Sequence, residues 1–199
     1  IVEGPGETRL VNVAYHTPSA AHPDFFPLLI LDSLLTGPQG LNLFGGGGVS
    51  NKTSRLYSRL VEQEDAAISL YGGLPATIDP FLYSIHFIVH PGASPEKGLE
   101  ILDGEIKRLQ DHPPDADELQ RATKQTRALF AYGGESITNQ AFWLGFAEMF
   151  ASYDWVTEYT DHLAAVKPDD VQRVAQKYLL PQNRVIGTYL PHQNGQNSA

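Results

Sequence analysis

The stretch Gly46-Gly47-Gly48-Val49-Ser50-Asn51-Lys52-Thr53 comes nearest to a known chemical device, a phosphate-binding loop. The pattern G-x-x-x-x-G-K-[ST] uses glycines so that backbone N–H groups converge on a phosphate at a helix start, where the dipole favours an anion. Three features weigh against it. Asn51 stands where the second glycine would allow close backbone approach. The residues before the loop read as helix rather than strand. No second strand ends in a magnesium-binding Asp, because Leu28-Leu29-Ile30-Leu31-Asp32 precedes the loop and itself reads as helix. A glycine-rich loop with another task is the better reading.

Metal chemistry needs histidines and carboxylates at chelating spacing. His86 and His90 are four apart, which suits a helix, but Phe81 to His90 reads as a strand. Four residues of strand span about 13 Å, too far for one ion. The other histidines (His16, His22, His112, His162, His192) are scattered beside prolines or near element ends, and there is no His-x-x-Glu-His. A serine nucleophile elbow requires Gly-x-Ser-x-Gly; the stretches around Ser50 and Ser136 both lack the final glycine, and Ser136 reads as a helix cap. The acid pairs Glu62/Glu64, Asp115/Asp117 and Asp169/Asp170 sit at helix ends, where solvated charge or dipole compensation explains them. The sequence therefore names no catalytic residue and no metal ligand. The aromatic group Phe142, Trp143, Phe146, Met149, Phe150 and Trp155 reads as core or interface.

Composition narrows the classes further. Of 199 residues, 42 % are hydrophobic and 19 % charged, ordinary globular usage that excludes wholesale disorder. Asp plus Glu number 23 against 14 Lys plus Arg, a net charge of −9 that repels a nucleic-acid backbone. The longest apolar run, Phe25 to Leu31, falls far short of the roughly 20 residues of a membrane span. Absence of cysteine removes disulfides, thiolate zinc sites and cysteine nucleophiles. The chain opens on Ile1 and its single methionine is Met149, so we expect a piece of something longer, with any targeting segment upstream. The expectation is a soluble chain whose compartment is not readable.

The elements that would position these residues follow from periodicity. Thr8 to His16 alternates as a strand; Asp24 to Leu35 is apolar nearly all round, as a buried helix is. Thr36 to Asn51 is a glycine-rich loop, and Lys52 to Glu64 reads as a second helix with Leu56, Leu60 and Val61 on one face. Ala67 to Tyr71 and Phe81 to His90 form an antiparallel pair across Gly72, Gly73 and Pro75. Ser94 caps a helix with Pro95 at its first position and Leu99, Leu102, Ile106 and Leu109 as its stripe. His112-Pro113-Pro114 ends it, and Asp115 with Glu118 forms a capping box for a helix reaching Tyr132, before Gly133-Gly134. Helical material covers Asn139 to Ser152 and Pro168 to Leu179, Arg184 to Leu190 is a last strand, and 193–199 is a disordered tail. This order predicts one α+β layered domain over 1–199, a largely antiparallel sheet with helices packed on one face.

Thr8 to Pro18, then His22-Pro23-Asp24 opening an apolar helix, then Thr53-Ser54-Arg55-Leu56-Tyr57 opening another, resemble the insulinase/pitrilysin zinc metallopeptidases, in their mitochondrial-processing-peptidase-like branch. Lys167 to Leu179 followed by Asn183-Arg184 is similar to that family's closing helix and strand. The resemblance covers nearly the whole chain and is to the carboxy-terminal, non-catalytic domain, a metallopeptidase-like half-unit. It implies zinc held not here but in a catalytic domain of the parent or partner. It implies as partners that domain or subunit, an extended peptide substrate and a homo- or heterodimer, with neither nucleic acid nor membrane span. In the family's second domain an Arg and a downstream Tyr reach the scissile peptide; aligning on Ser54-Arg55-Leu56-Tyr57 puts Val61 and Ile68 there, neither of which can donate a hydrogen bond. Phe44-Gly45-Gly46-Gly47-Gly48 looks like the glycine-rich loop of the silent alpha subunit, which implies substrate recognition, Phe44 being its apolar anchor; a tolerated surface loop is the alternative. The resulting expectation is a peptide-enclosing or assembly domain of a zinc metalloendopeptidase or its silent subunit, with a pure scaffold as the rival.

Overall fold

Alternation along β2 (Leu10–Thr17) sets the plan: Val11, Val13, Tyr15 and Thr17 are buried while their neighbours face away. That pattern needs a sheet covered on one face only. The computed structural model describes residues 1–40 and 52–192. Its other strands are β1 (Val2–Gly4), β3 (Ala67–Gly73), β4 (Phe81–Val89) and β5 (Arg184–Pro191), in the spatial order β1-β5-β2-β4-β3. β2 runs antiparallel to both β4 and β5, and β4 antiparallel to β3, as the spacing of the hairpin predicts. β1 was not foreseen. It pairs parallel with β5, and its three residues are too few to show a period. Tyr189 locks it by donating to the Pro5 carbonyl at 2.7 Å.

The helices are α1 (Phe25–Leu35), α2 (Arg55–Tyr57), α3 (Pro95–Asp111), α4 (Ala116–Gly133), α5 (Ile137–Phe150), α6 (Asp154–Thr157), α7 (Tyr159–Ala165) and α8 (Pro168–Tyr178). They cover the face of the sheet that carries Val13, Tyr15, Ile85 and Phe87. α1 lies innermost, with all eleven residues buried, under α4, α7 and α8. α3 crosses the sheet where Gly98 meets Phe87; a Cβ there would stand 2.5 Å from that ring. Gln110 ties α3 to α8, its side chain donating to the Ala175 and Leu179 carbonyls at 3.2 and 2.9 Å. The Ser94 and Ser136 caps form as expected.

Two expectations need correction, and one region goes unread. Lys52 to Glu64 is not one α-helix: after α2 the backbone widens into a π-helical turn over Ser58–Gln63, Glu64 N–H bonding back to the Arg59 carbonyl. One residue added within a turn leaves the Leu56 and Leu60 pattern intact, so the sequence does not betray it. The capping box at α4 is only half made. Asp115 accepts from the Glu118 amide at 2.7 Å, but the Glu118 carboxylate turns to Arg55, which it grips through two bonds of 2.6 Å. The region 154–165, unassigned from sequence, forms α6 and α7, which are too short to show a stripe.

Asp24 closes the layer. Its carboxylate, almost wholly buried, accepts from Arg173 at 2.6 Å, Lys177 at 2.8 Å and the Tyr178 hydroxyl at 2.8 Å, pinning the start of α1 to α8. Burial pushes its pKa up, but these three bonds overcome that and hold it well below the ordinary carboxylate range. A depressed folded pKa gives stability that is present above the unfolded value of 3.8 and is lost as pH falls below it. Both cations are half in water, which limits the gain. Asp24→Asn should cost roughly 1–2 kcal/mol at pH 7, and the gap to the parent should close toward pH 2, as measured by urea melts. A gap independent of pH would show that packing rather than charge is lost.

Candidate functional surfaces around strand β3

Phe44, Gly45, Gly46, Gly47 and Gly48 lie outside the described residues; the flanks of their segment do not. On one side Gly37, at φ +106°, turns the chain out of α1, and the Gln39 side-chain amide donates to the Gly72 carbonyl of edge strand β3. On the other, Thr53 accepts from Gln125 of α4 at 3.5 Å, and Arg55 is clamped by Glu118. The described flanks are thus held at β3 on one side and at α4 on the other. Val61 leans on the core from the π turn, while Ile68, at the bulge that shifts the β3 register, is half exposed. Neither carries a polar group that could meet a peptide carbonyl.

Beneath Gly72 lies Asp32, which the sequence offers only as a rejected magnesium ligand. Asp32 is fully buried on α1 and accepts the Thr36 hydroxyl at 2.6 Å; a Cβ on Gly72 would collide with both side chains. Tyr83 lies near enough to ease its charge slightly, yet neither Asp32 Oδ2 nor the Tyr83 hydroxyl has a partner of good geometry. Burial pushes the Asp32 carboxyl up to about 7, the Thr36 and Tyr83 hydroxyls pulling it back only in part. The available signal was one acidic residue inside an otherwise apolar helix.

The uncovered sheet face brings Asn12, His86 and Tyr71 into one cross-strand row, since Asn12 pairs with His86 and His86 with Tyr71. Leu10, Leu82 and Val185 are exposed around it. Burial lowers the His86 pKa, which favours the neutral ring. His90 lies just beyond β4, its Nδ1 accepting the Gly92 amide at 3.2 Å. Among the described residues no three His, Asp or Glu side chains converge so as to hold a metal ion. These described residues do not fit a zinc centre.

Helix α5 has the other unusual surface. Its sole charged residue is Glu148, and only Asn139 and Ala147 are buried. Ile137 is 82 % exposed and Met149 64 %, with Phe142 and Leu144 also partly open. Phe142, Trp143, Phe146 and Phe150 form a ring-to-ring chain that ends on buried Trp155. The foreseen aromatic group is therefore core at its Trp155 end and uncovered along α5. No helix among the described residues is long and apolar enough to cross a membrane.

A sequence profile described as the peptidase M16 inactive domain matches residues 1–126. The chain superposes on a candidate zinc protease of Bordetella pertussis Tohama I with a TM-score of 0.77 and 28 % identity, over 96 % of this chain and 97 % of that one. It superposes on the inactive peptidase domain of a candidate zinc protease of Bordetella parapertussis with a TM-score of 0.79 and 27 % identity, over the same shares. A Helicobacter pylori protease shares the fold with a TM-score of 0.81 and 21 % identity; 96 % of this chain is covered but only 43 % of that one. No curated protein matches the chain significantly.

Asp32 gives a prediction opposite in sign to that of Asp24. With a folded pKa near 7 against 3.8 unfolded, Asp32 is neutral in both states at low pH. As pH rises the unfolded chain ionises first, so stability drains between these values. Asp32→Asn should match the parent near pH 4 and exceed it by roughly 2–4 kcal/mol at pH 8, read from thermal and urea melts. A variant less stable than the parent at pH 8 would contradict a neutral Asp32.

Proposed function

We propose a role that proceeds from one premise: this chain belongs to the peptidase M16 inactive-domain family. Within it, the chain acts as a non-catalytic half-unit, 1–199 forming one domain that docks on a zinc-bearing companion of the same fold and helps to enclose an extended peptide. The observation that carries the reading is α5, a helix with one charge and large apolar side chains left open among the described residues. Such a surface is costly in water and calls for a cover. That the chain spans 43 % of the Helicobacter pylori protease fits a half-unit with a companion.

Peptide contact is assigned to Phe44 through Gly48, whose flanks are anchored at β3 and α4, and to the neighbouring bare sheet face at Tyr71 and Leu82. Val61 and Ile68 mark the positions where the family's donor pair has been lost, so transition-state donors and the zinc both come from the companion.

The test is co-purification with a zinc-bearing companion and a peptide hydrolysis assay. Ile137→Asp with Met149→Asp should weaken association at least about tenfold, one buried apolar contact being worth 1.5–3 kcal/mol, without lowering the melting temperature of the chain alone. Tyr71→Ala with Leu82→Ser should leave association intact and raise KM. Intact association with unchanged KM would favour the scaffold reading; association indifferent to the α5 charges would remove the docking surface.

A further inference from the structure

The loop leading into α1, the start of α1, the end of α5, and helices α6, α7 and α8 line an open cleft of about 510 Å3. Small-ligand sites have this size; folded partners do not fit in them. Phe26, Pro27, Trp155 and Val166 make the walls, and alanines at 151 and 165 leave the room. The walls are fixed in place. Trp155 donates its indole N–H to the Ala20 carbonyl at 3.0 Å, and Phe26 lies between Trp155, with ring centres 5.6 Å apart, and His162, stacked at 4.7 Å. A ligand would meet a preformed surface and pay little for ordering it.

The polar side chains of the lining define the ligand. His22 Nδ1 accepts the Asp24 amide at 2.9 Å, so the neutral ring carries its proton on Nε2, which is left to donate. Arg173 spends one amino group on Asp24 at 2.6 Å and holds Asp170 loosely at 3.4 Å, leaving further N–H groups on a half-exposed side chain. Asp170 is engaged through both oxygens, one by Arg173 and the other by the Lys167 amide at 3.1 Å. Beside the apolar walls, donor capacity remains on His22 and Arg173, and the Asp170 carboxylate keeps acceptor sites toward the chain N-terminal to α8. The complementary group is a carboxylate attached to an apolar body.

We propose that this cleft captures the carboxyl-terminal residue of a peptide, its aromatic or branched side chain against Phe26 and Trp155 and its carboxylate on His22 and Arg173. The open cleft favours a peptide over a free fatty acid. A peptide backbone leaves it into water, whereas an alkyl chain would remain half wetted and lose its driving force. The proposal does not depend on docking through α5, and it applies to the 199-residue chain as it stands.

The experiment uses Trp143→Phe as the parent, so that Trp155 is the single fluorescent indole. The probes are N-acetyl-Gly-Gly-Phe as free acid, the same peptide as carboxyl-terminal amide, and octanoate. The acid should give a saturable change in Trp155 emission, with the amide bound roughly tenfold more weakly for loss of a charge-assisted bond. Ala165→Phe, which fills the cavity from an exposed position, should abolish the signal. Ala151→Leu narrows it from the other side and covers the case that the first variant folds poorly. His22→Asn keeps an acceptor for the Asp24 amide and should shrink the acid-to-amide ratio. Absence of a saturable change, equal affinity for acid and amide, or binding indifferent to both filling variants would overturn the site. Octanoate binding more tightly than the peptide acid would overturn its assignment to a peptide.

Discussion

Helix α1 buries all eleven of its residues, so the polar groups at its two ends must be satisfied by neighbouring elements. That constraint organises much of the domain. At the start, Asp24 recruits Arg173, Lys177 and Tyr178, which fixes α8 against the entry to α1. Near the end, Asp32 finds only hydroxyls, and its neighbour Gly72 must do without a side chain. The first carboxylate is stabilised as an anion and the second as an acid. Burial acts on both; the difference is whether cations arrive with it. α8 supplies them at one end, and the strands at the other supply none.

The parts of the fold legible in the sequence are those where one local period decides the outcome. β2, α3 and α8 each bury one face and leave the other open, and their stripes give them away. α1 was legible for the opposite reason, since a helix apolar all round must be central. β1, α6 and α7 were not, because a few residues held by distant partners carry no period of their own. The half-made capping box shows the same limit from another side. Asp115 and Glu118 satisfy the local pattern, but Arg55, 63 positions away, offers the Glu118 carboxylate a charged partner in place of a backbone amide. A tertiary ion pair with two bonds outweighs the reciprocal cap.

Site chemistry was legible mainly by exclusion. The spacing of His86 and His90 disqualified them once Phe81 to His90 read as a strand, and β4 places His86 in an open-face row with Asn12 and Tyr71 instead. Asp24 was legible only as the opening of an apolar helix and Asp32 only as a rejected magnesium ligand, because their significance lies in what approaches them. Arg173 is 149 residues from Asp24 and Tyr83 comes from another layer, and no local pattern links such pairs. His22 was legible only as a histidine beside a proline at the opening of α1. Its use depends on which ring nitrogen is occupied, and that is set by the Asp24 amide.

Helices on one face of a five-stranded sheet leave three kinds of surface among the described residues, and each has a different requirement. The bare sheet face mixes Asn12, His86 and Tyr71 with Leu10 and Val185, so it tolerates water and can still receive an extended chain. α5 has almost no charge with which to hold water, and the buried indole N–H of Trp143 lacks a hydrogen-bond partner among the described residues. The Phe26–Trp155 cavity lies between them in character, with apolar walls already fixed and donors at the rim. The ring contacts along α5 end on Trp155 through Phe150, at 5.1 Å, so the uncovered helix and the cavity wall share one packed row. Covering α5 would stiffen that row from outside, and filling the cavity would brace it from within. The two surfaces are thus physically joined, and coupling between them requires no element beyond the aromatic side chains already in contact.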